Sequence, residues 1–420
     1  MVKVEEKILE LVSSSETELS DIYRKIDTVS EKNTAKVMAA FNTHHVSEAL
    51  FASSSGYGYG DRGRDVLDLI YADVFEAESA FVRHSIVNGT QALSIGLFGL
   101  LRPGDILYSV SGKPYDTLEE VIGIAGNAGD GSLRDFGVEY RQTELIDGKD
   151  FDFDKIDRDI AEFGDKVKVV FIQRSRGYMT RKTLSSEKIG ELVKFVKARI
   201  PDVYVFVDNC YGEFVEEHEP TYYGADVIVG SLIKNPGGGM AESGGYIAGS
   251  AKAVELASYR LTSVGIGCEC GATLGQNKSM YKGFFYAPHT TAQALKTAVF
   301  TAYIFEKLGF DVSPKYNEDR FDIIQTVTFG EPQGLIDFCK GIQKGSPVDS
   351  FVDPEPWEMP GYSDKVIMAA GAFTQGSSIE LSADGPLRPP FTAFMQGGLT
   401  FESGKLGIIS AARQLLTKNE

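Results

Sequence analysis

VYVFVDNCYGEFVEEHEP, Val203 to Pro220, and ADVIVGSLIKNPGGGMAESGGYIAG, Ala225 to Gly249, are the two pieces of sequence that decide the fold. Val203–Val207 and Val227–Val229 are apolar and β-branched, the composition of buried strands. Asp208 stands at the exit of the first run. Lys234 stands a few residues beyond the second, with Ser231 before it and Pro236-Gly237-Gly238-Gly239 after it. An acid and a lysine at the carboxyl ends of adjacent strands stand where an open α/β sheet puts its ligand.

The pattern extends in both directions. Upstream, Ser79–Arg83, Ile106–Val110, the short Val138–Tyr140 and Val167–Gln173 read as strands. Helices are predicted after the loop Phe51–Arg64 (apolar face Val66, Leu69, Ile70, Val74), from Asn88 to Leu101, and over Asp154–Phe163 and Ser186–Ile200. This alternation predicts an α/β domain with a mainly parallel sheet over residues 61–290. Before it, Val4–Asn42 is helical by period, part of an N-terminal arm and loop over residues 1–60. After it, a helix Thr290–Leu308, strands Phe321–Phe329, Ile367–Phe373 and Ser377–Ser382, and helices Gln333–Gln343 and Lys405–Thr417 predict a smaller α+β domain over residues 291–420. Val348–Tyr362, rich in proline and acids, reads as loop.

The 420 residues carry 42 basic and 59 acidic side chains, a net charge of −17. Such a field repels nucleic acid and anionic membranes, so neither is an expected partner. Four cysteines are too few for a disulfide framework, and Cys268-Glu-Cys270 lacks the second pair a zinc site needs. No stretch has the apolar core of a signal peptide or the length of a membrane span. A soluble, reduced, cytoplasmic protein without a metal centre is the expectation.

Several residues then acquire chemistry. Lys234 follows a buried strand, and burial lowers a lysine's pKa toward the neutral amine that attacks a carbonyl. We read it as the lysine that holds pyridoxal phosphate as a Schiff base, with the Asp208 carboxylate against the pyridine nitrogen. In isolation, a solvated lysine and a turn-capping aspartate are the plainer readings. Asn88-Gly89-Thr90-Gln91 opens a helix whose free N–H groups suit a phosphate, although an ordinary N-cap has the same look. Ser231 offers a hydroxyl to the same group. Tyr115, after a strand, is placed to stack on a ring or donate a proton, against a core tyrosine as the alternative. Arg388, between Leu387 and Pro389, suits a substrate carboxylate or is simply a surface loop arginine. Tyr57, Tyr59, Arg62 and Arg64 form an aromatic, basic, glycine-rich loop suited to phosphate contacts. Ser175 and Arg176 leave the end of the Val167–Gln173 strand toward the same cleft. His84 and His218 read as structural.

Together these residues resemble the fold-type I pyridoxal-phosphate enzymes of cysteine and methionine metabolism, with an aspartate aminotransferase-like large domain. More specifically, GYGYGDRGRD, NGTQAL, IQRSRGY, VDNCYGEF, SLIKNPGGG and LRPPFTAFMQGGLTFESGKLG resemble bacterial methionine γ-lyase-like or aluminium resistance proteins, a group also described as cystathionine β-lyases. The resemblance covers nearly the whole chain. It implies Lys234 as the cofactor lysine, Asp208 on the ring nitrogen, Gly89, Thr90 and Ser231 on the phosphate, Tyr115 stacked on the ring, and Arg388 on the substrate carboxylate. It also implies a homotetramer of tight dimers in which Tyr59 and Arg62 or Arg64 reach the neighbouring subunit's phosphate. One position departs: Ile233 stands where the well-studied lyases have a hydroxyl residue. The activity implied is carbon–sulfur lysis of an amino-acid substrate (cystathionine, cysteine or methionine) by β- or γ-elimination. An aminotransferase, aldolase or racemase on the same scaffold, or a resistance protein that keeps the site without turnover, stays open.

Overall fold

The structure is a computed structural model that describes residues 2–417. Helices α1 (Val2–Glu18) and α2 (Ser20–Thr43) begin it. The stretch Val4–Asn42, helical by period, is two helices parted at Leu19, whose side chain is buried in the core of the second domain. Helix α3 (Arg62–Val74) starts inside the expected Phe51–Arg64 loop, because Asp61 caps it by accepting from the Arg64 N–H.

Then follow β1 (Ser79–Arg83), α4 (Gly89–Leu100), β2 (Ile106–Ser109), α5 (Asp116–Ile122), β3 (Glu139–Gln142), α6 (Phe153–Phe163), β4 (Val167–Gln173) and α7 (Ser186–Lys197). They lead into β5 (Tyr204–Asp208), β6 (Val227–Ser231), β7 (Gly245–Gly249) and α8 (Ala251–Leu261). The seven strands form one sheet in the order β1-β7-β6-β5-β4-β2-β3. Five of them, from β6 to β3, run parallel. β7 is antiparallel to both β6 and β1. The helices pack against both faces, and the continuous apolar strands β4, β5 and β6 lie buried between them.

The pattern missed β7. Its terminal glycines look like loop, but Gly249 is there for close approach: a Cβ would stand 1.9 Å from the Asp226 carbonyl oxygen.

Helix α9 (Asn277–Lys307) joins this domain to the next. It begins well before the expected Thr290, because Pro288 reads as a helix start yet lies inside. Its first half packs Met280, Tyr281, Phe284 and Ala287 into the first core. Its second half packs Ala298 to Phe305 into the second. Burial on both sides of Pro288 outweighs the roughly 3 kcal/mol that an internal proline costs a helix.

The second domain adds β8 (Asp311–Ser313), β9 (Gln325–Thr328), α10 (Pro332–Lys344), β10 (Val366–Ala369), β11 (Ser382–Pro386), β12 (Thr392–Gln396) and α11 (Phe401–Thr417). Its antiparallel sheet has the order β10-β11-β12-β9-β8. The expected strand Phe321–Phe329 narrows to β9, and Ile367–Phe373 to β10. Ser377–Ser382 is mostly loop, and the strand begins only at Ser382. β12 escaped notice behind the Leu387–Pro390 proline run. Ile8 and Leu19 of the N-terminal helices share this core. Among the described residues no helix is long and apolar enough to cross a membrane.

The turn that follows β6 is pinned under α9. A Cβ on Gly283 would lie 2.2 Å from the Gly237 carbonyl oxygen. Gly283→Ala is therefore expected to destabilise the fold by roughly 1–3 kcal/mol through overpacking. A lower midpoint in denaturant unfolding would register it, whereas a wild-type midpoint would show that the two backbones can part freely.

Candidate active site

The parallel pairing of β5 and β6 brings their carboxyl ends together, with Asp208 opposite Val229. The chain then leaves both strands at one edge. Lys234 opens the turn Asn235–Gly237, and its backbone N–H reaches back to the Ser231 carbonyl at 3.4 Å. Asn235 ties this turn to the loop after β5: its amide donates to the Tyr211 and Glu213 carbonyls at 3.1 and 2.9 Å. Tyr211 is held at φ +74°, a left-handed conformation that a bulky residue adopts only under constraint. Its ring lies 4.3 Å from the Lys234 Nζ. Behind the strands, fully buried Arg174 bonds Glu216, Glu219 and the Asn209 side chain, which fixes the residue next to Asp208.

A cavity of about 260 Å³ opens at this edge, between the two domains. Lys234, Asp208, Ser231, Gly89, Thr90, Tyr115 and Ser175 all line it, so the structure gathers seven of the residues singled out from sequence. The remainder lie elsewhere. Gln91 points to its own loop, accepting from the Val87 N–H. Arg176 is buried beside the cavity and donates to Ser313. Arg64 is buried and donates to the Gly58 and Gly271 carbonyls, with Asp65 against its fork. Tyr59 is exposed and stacked on Tyr57, and Arg62 is exposed. Arg388, expected on a substrate carboxylate, does not line the cavity in this chain. It borders a neighbouring cleft and pairs with Asp364 at 2.8 Å, because the turn after β11 carries it outward.

Other side chains line the cavity without having been named from sequence, among them Tyr178, Tyr211, Tyr362, Asp384 and Gln396. The Tyr362 hydroxyl lies 2.6 Å from that of Tyr115. Tyr362 falls in the region read as loop, and Asp384 and Gln396 sit on strands whose limits the pattern missed. Tyr178, Tyr211 and Gln396 lie inside IQRSRGY, VDNCYGEF and LRPPFTAFMQGGLTFESGKLG, stretches that already carry the resemblance.

The electrostatics are those of a closed, acidic site. Burial lowers the Lys234 pKa, but Cys210, Tyr211, Asp208 and Glu213 facing it outweigh that effect and raise it. Burial raises the Asp208 pKa, opposed by the Lys234 charge and the Cys210 N–H. The lysine is thus held as an ammonium by its neighbours, contrary to the lowering expected from burial alone. Burial pushes the Tyr115 hydroxyl well up, and the neighbouring Tyr362 adds to it.

The donor set fits a phosphorylated aromatic cofactor. The Ser231 hydroxyl is buried without a partner. Gly89 begins α4, and a Cβ there would stand 3.6 Å from Ser231 and 3.7 Å from the Lys234 Nζ, so the helix N-terminus faces the same spot. An orphaned hydroxyl and free N–H groups at a helix start suit a phosphate. The lysine and the carboxylate suit an aldehyde and a ring nitrogen. Among the described residues no group of three or more His, Cys, Asp or Glu is placed to hold a metal.

The sequence matches the methionine gamma-lyase family over residues 8–416. The chain belongs to that family. The uncharacterized protein YnbB of Bacillus subtilis (strain 168) is 51% identical over 403 residues, 96% of this chain and 95% of that one. A Clostridium acetobutylicum structure, of a candidate cystathionine beta-lyase involved in aluminium resistance, is 51% identical with a TM-score of 0.95, covering 98% of this chain and 96% of that one. The pyridoxal-5'-phosphate-dependent protein YhfS of Escherichia coli is 16% identical with a TM-score of 0.62, over 94% of this chain and 97% of that one, a likeness of fold. Fold and family together imply pyridoxal phosphate for the site and establish the α/β large domain and smaller second domain of the fold-type I enzymes.

Glu213, behind Lys234, accepts from the Tyr246 hydroxyl at 2.8 Å, and burial pushes its pKa from 4.5 up to about 8. A raised acid keeps in the folded state a proton that the unfolded chain has already lost. Stability from this group is therefore present below 4.5 and lost as pH rises toward about 8. Glu213→Gln should flatten that slope, as read by denaturant unfolding at roughly pH 5 and pH 8. An unchanged slope would place the titration elsewhere.

Proposed function

We propose that this chain is a pyridoxal-phosphate-dependent carbon–sulfur lyase that acts on a sulfur amino acid by β- or γ-elimination. The observation that carries the reading is the convergence of Lys234, Asp208, Ser231 and the α4 N-terminus on one cavity closed by tyrosines. Family membership supports it, as does a Clostridium novyi NT structure described as a carbon–sulfur lyase involved in aluminium resistance. That protein is 51% identical, with a TM-score of 0.93, and the match covers 97% of this chain and 96% of that one.

When bound, pyridoxal phosphate supplies an electron sink for the carbanion at the substrate α-carbon. The chain's own residues do the rest. Ser231 and the Gly89 and Thr90 N–H groups hold the phosphate, and Asp208 keeps a proton on the ring nitrogen. The Lys234 amine would be the base that takes the substrate α-proton. Tyr115, whose hydroxyl is paired with Tyr362, donates a proton to the departing sulfur. Its raised pKa keeps that proton in place across the neutral range. The surrounding Tyr178, Tyr211 and Tyr362 exclude water from the reacting centre. Tyr59 and Arg62, both exposed, are the residues we assign to the phosphate of a neighbouring subunit in a homotetramer, and Ser175, together with Arg388 once it leaves Asp364, to the substrate carboxylate.

Two experiments test this. Borohydride treatment of the cofactor-loaded protein should fix the cofactor covalently on Lys234, and Lys234→Ala should abolish both fixation and turnover. A Lys234→Ala protein that still fixes cofactor would overturn the assignment. Incubation with cysteine, cystathionine and methionine should release a thiol or sulfide, ammonia and a 2-oxo acid from at least one of them. Amino-group transfer to a 2-oxo acid without sulfur release would make the protein an aminotransferase instead.

A further inference from the structure

Resting on that lyase reading, one cavity residue has no task in it. Asp384 lies on β11, across the cleft from Lys234. The strand alternates: Ala383 enters the second core, while Ser382 and Asp384 face the cavity. In register, Asp384 stands between Met368 of β10 and Phe394 of β12, both of which also line the cavity. The carboxyl therefore sits in the middle of an apolar row. Its Oδ1 has no hydrogen-bond partner. The Gln396 amide approaches Oδ2 only at 3.4 Å, and also donates to the Phe394 carbonyl.

The charge balance sharpens this. Among the described residues lining the cavity there are two carboxyls, Asp208 and Asp384, and one cation, Lys234. Asp208 is committed to the cofactor ring. Lys234 would be committed to the cofactor aldehyde when the cofactor is bound. Burial raises the Asp384 pKa to about 7, and the Tyr178 hydroxyl, the Gln396 amide and the Lys234 charge only moderate that. Asp384 is then a desolvated acid with no cation bonded to it. Its desolvation is already met by folding, so an incoming cation gains the full attraction of a preorganised partner. The substrate α-amine must go to the cofactor, which leaves Asp384 for a group farther along the side chain.

We propose that Asp384 reads the far end of the substrate: it accepts a protonated amine carried beyond the sulfur, so the pocket selects thioether amino acids with a distal ammonium over those ending in an alkyl group. A site built to pair a polar group rejects the analogue that lacks it, because the buried acceptor is left unsatisfied.

The test is a matched pair, S-(2-aminoethyl)-L-cysteine and S-propyl-L-cysteine, which differ by an ammonium against a methyl group. Binding to the holoenzyme is read before turnover, by rapid mixing, from the change in cofactor absorbance. Pyruvate release is followed separately. The aminoethyl compound should bind at least about tenfold more tightly. Asp384→Asn should collapse that ratio, and Asp384→Glu should retain its direction. Equal affinities in the wild-type protein overturn the proposal without any variant, as does a ratio that survives Asp384→Asn. Tighter aminoethyl binding with no pyruvate from either compound would sustain the role of Asp384 and overturn the lyase reading in its β-eliminating form. Pyruvate from both at equal affinity would do the reverse.

Discussion

A lysine buried beside two carboxyls, a tyrosine and a cysteine is the constraint around which this chain is arranged. The parallel pairing of β5 and β6 creates it, since only parallel neighbours deliver two chain exits to the same edge. Once Asp208 and Lys234 share that edge, the rest of the sheet must keep water from them. α4 presents its N-terminus, α9 closes over the turn, and the second domain supplies the opposite wall. Arg174, Glu216, Glu219 and Asn209 then hold the loop after β5 from behind. A buried polar network of this kind is useful only when nearly complete, because each missing partner leaves a desolvated charge.

Sequence alone carried the reading a long way where local signals agreed. Val203–Val207 and Val167–Gln173 are apolar throughout, which leaves no reading but a covered strand. Asn88-Gly89 marks a helix start on capping grounds alone. Legibility failed where tertiary contact decides. Gly245–Gly249 is a strand because neighbouring backbone comes too close for side chains, and periodicity cannot express that. Pro288 looks like a boundary because its cost is local, while the burial that outweighs it lies in two separate cores. Thr392–Gln396 follows prolines that read as the end of regular structure.

The candidate site divides in the same way. Residues of the large domain that sit at strand exits or helix starts were found, because those positions are themselves sequence signals. The wall contributed by the second domain was not. Asp384 and Gln396 reach the cavity only through the register of three antiparallel strands, and one residue of slip would turn both into the core. Arg388 illustrates the converse. Its setting between Leu387 and Pro389 suggested an anchor, yet the turn that those prolines stiffen carries it away from the cavity toward Asp364.

Helix α9 is one rod set in two hulls. Its first half is embedded in the large domain and pressed, at Gly283, against the turn that bears Lys234. Its second half is embedded in the small domain, whose sheet carries Asp384. No swivel of one domain against the other can leave α9 behind. Opening the cleft to admit a molecule must therefore bend that rod or drag the lysine turn with it. The helix has a natural place to yield, at Pro288, where one backbone hydrogen bond is already missing. The entrance to the site and the seat of its reactive amine are in this way mechanically geared through a single proline.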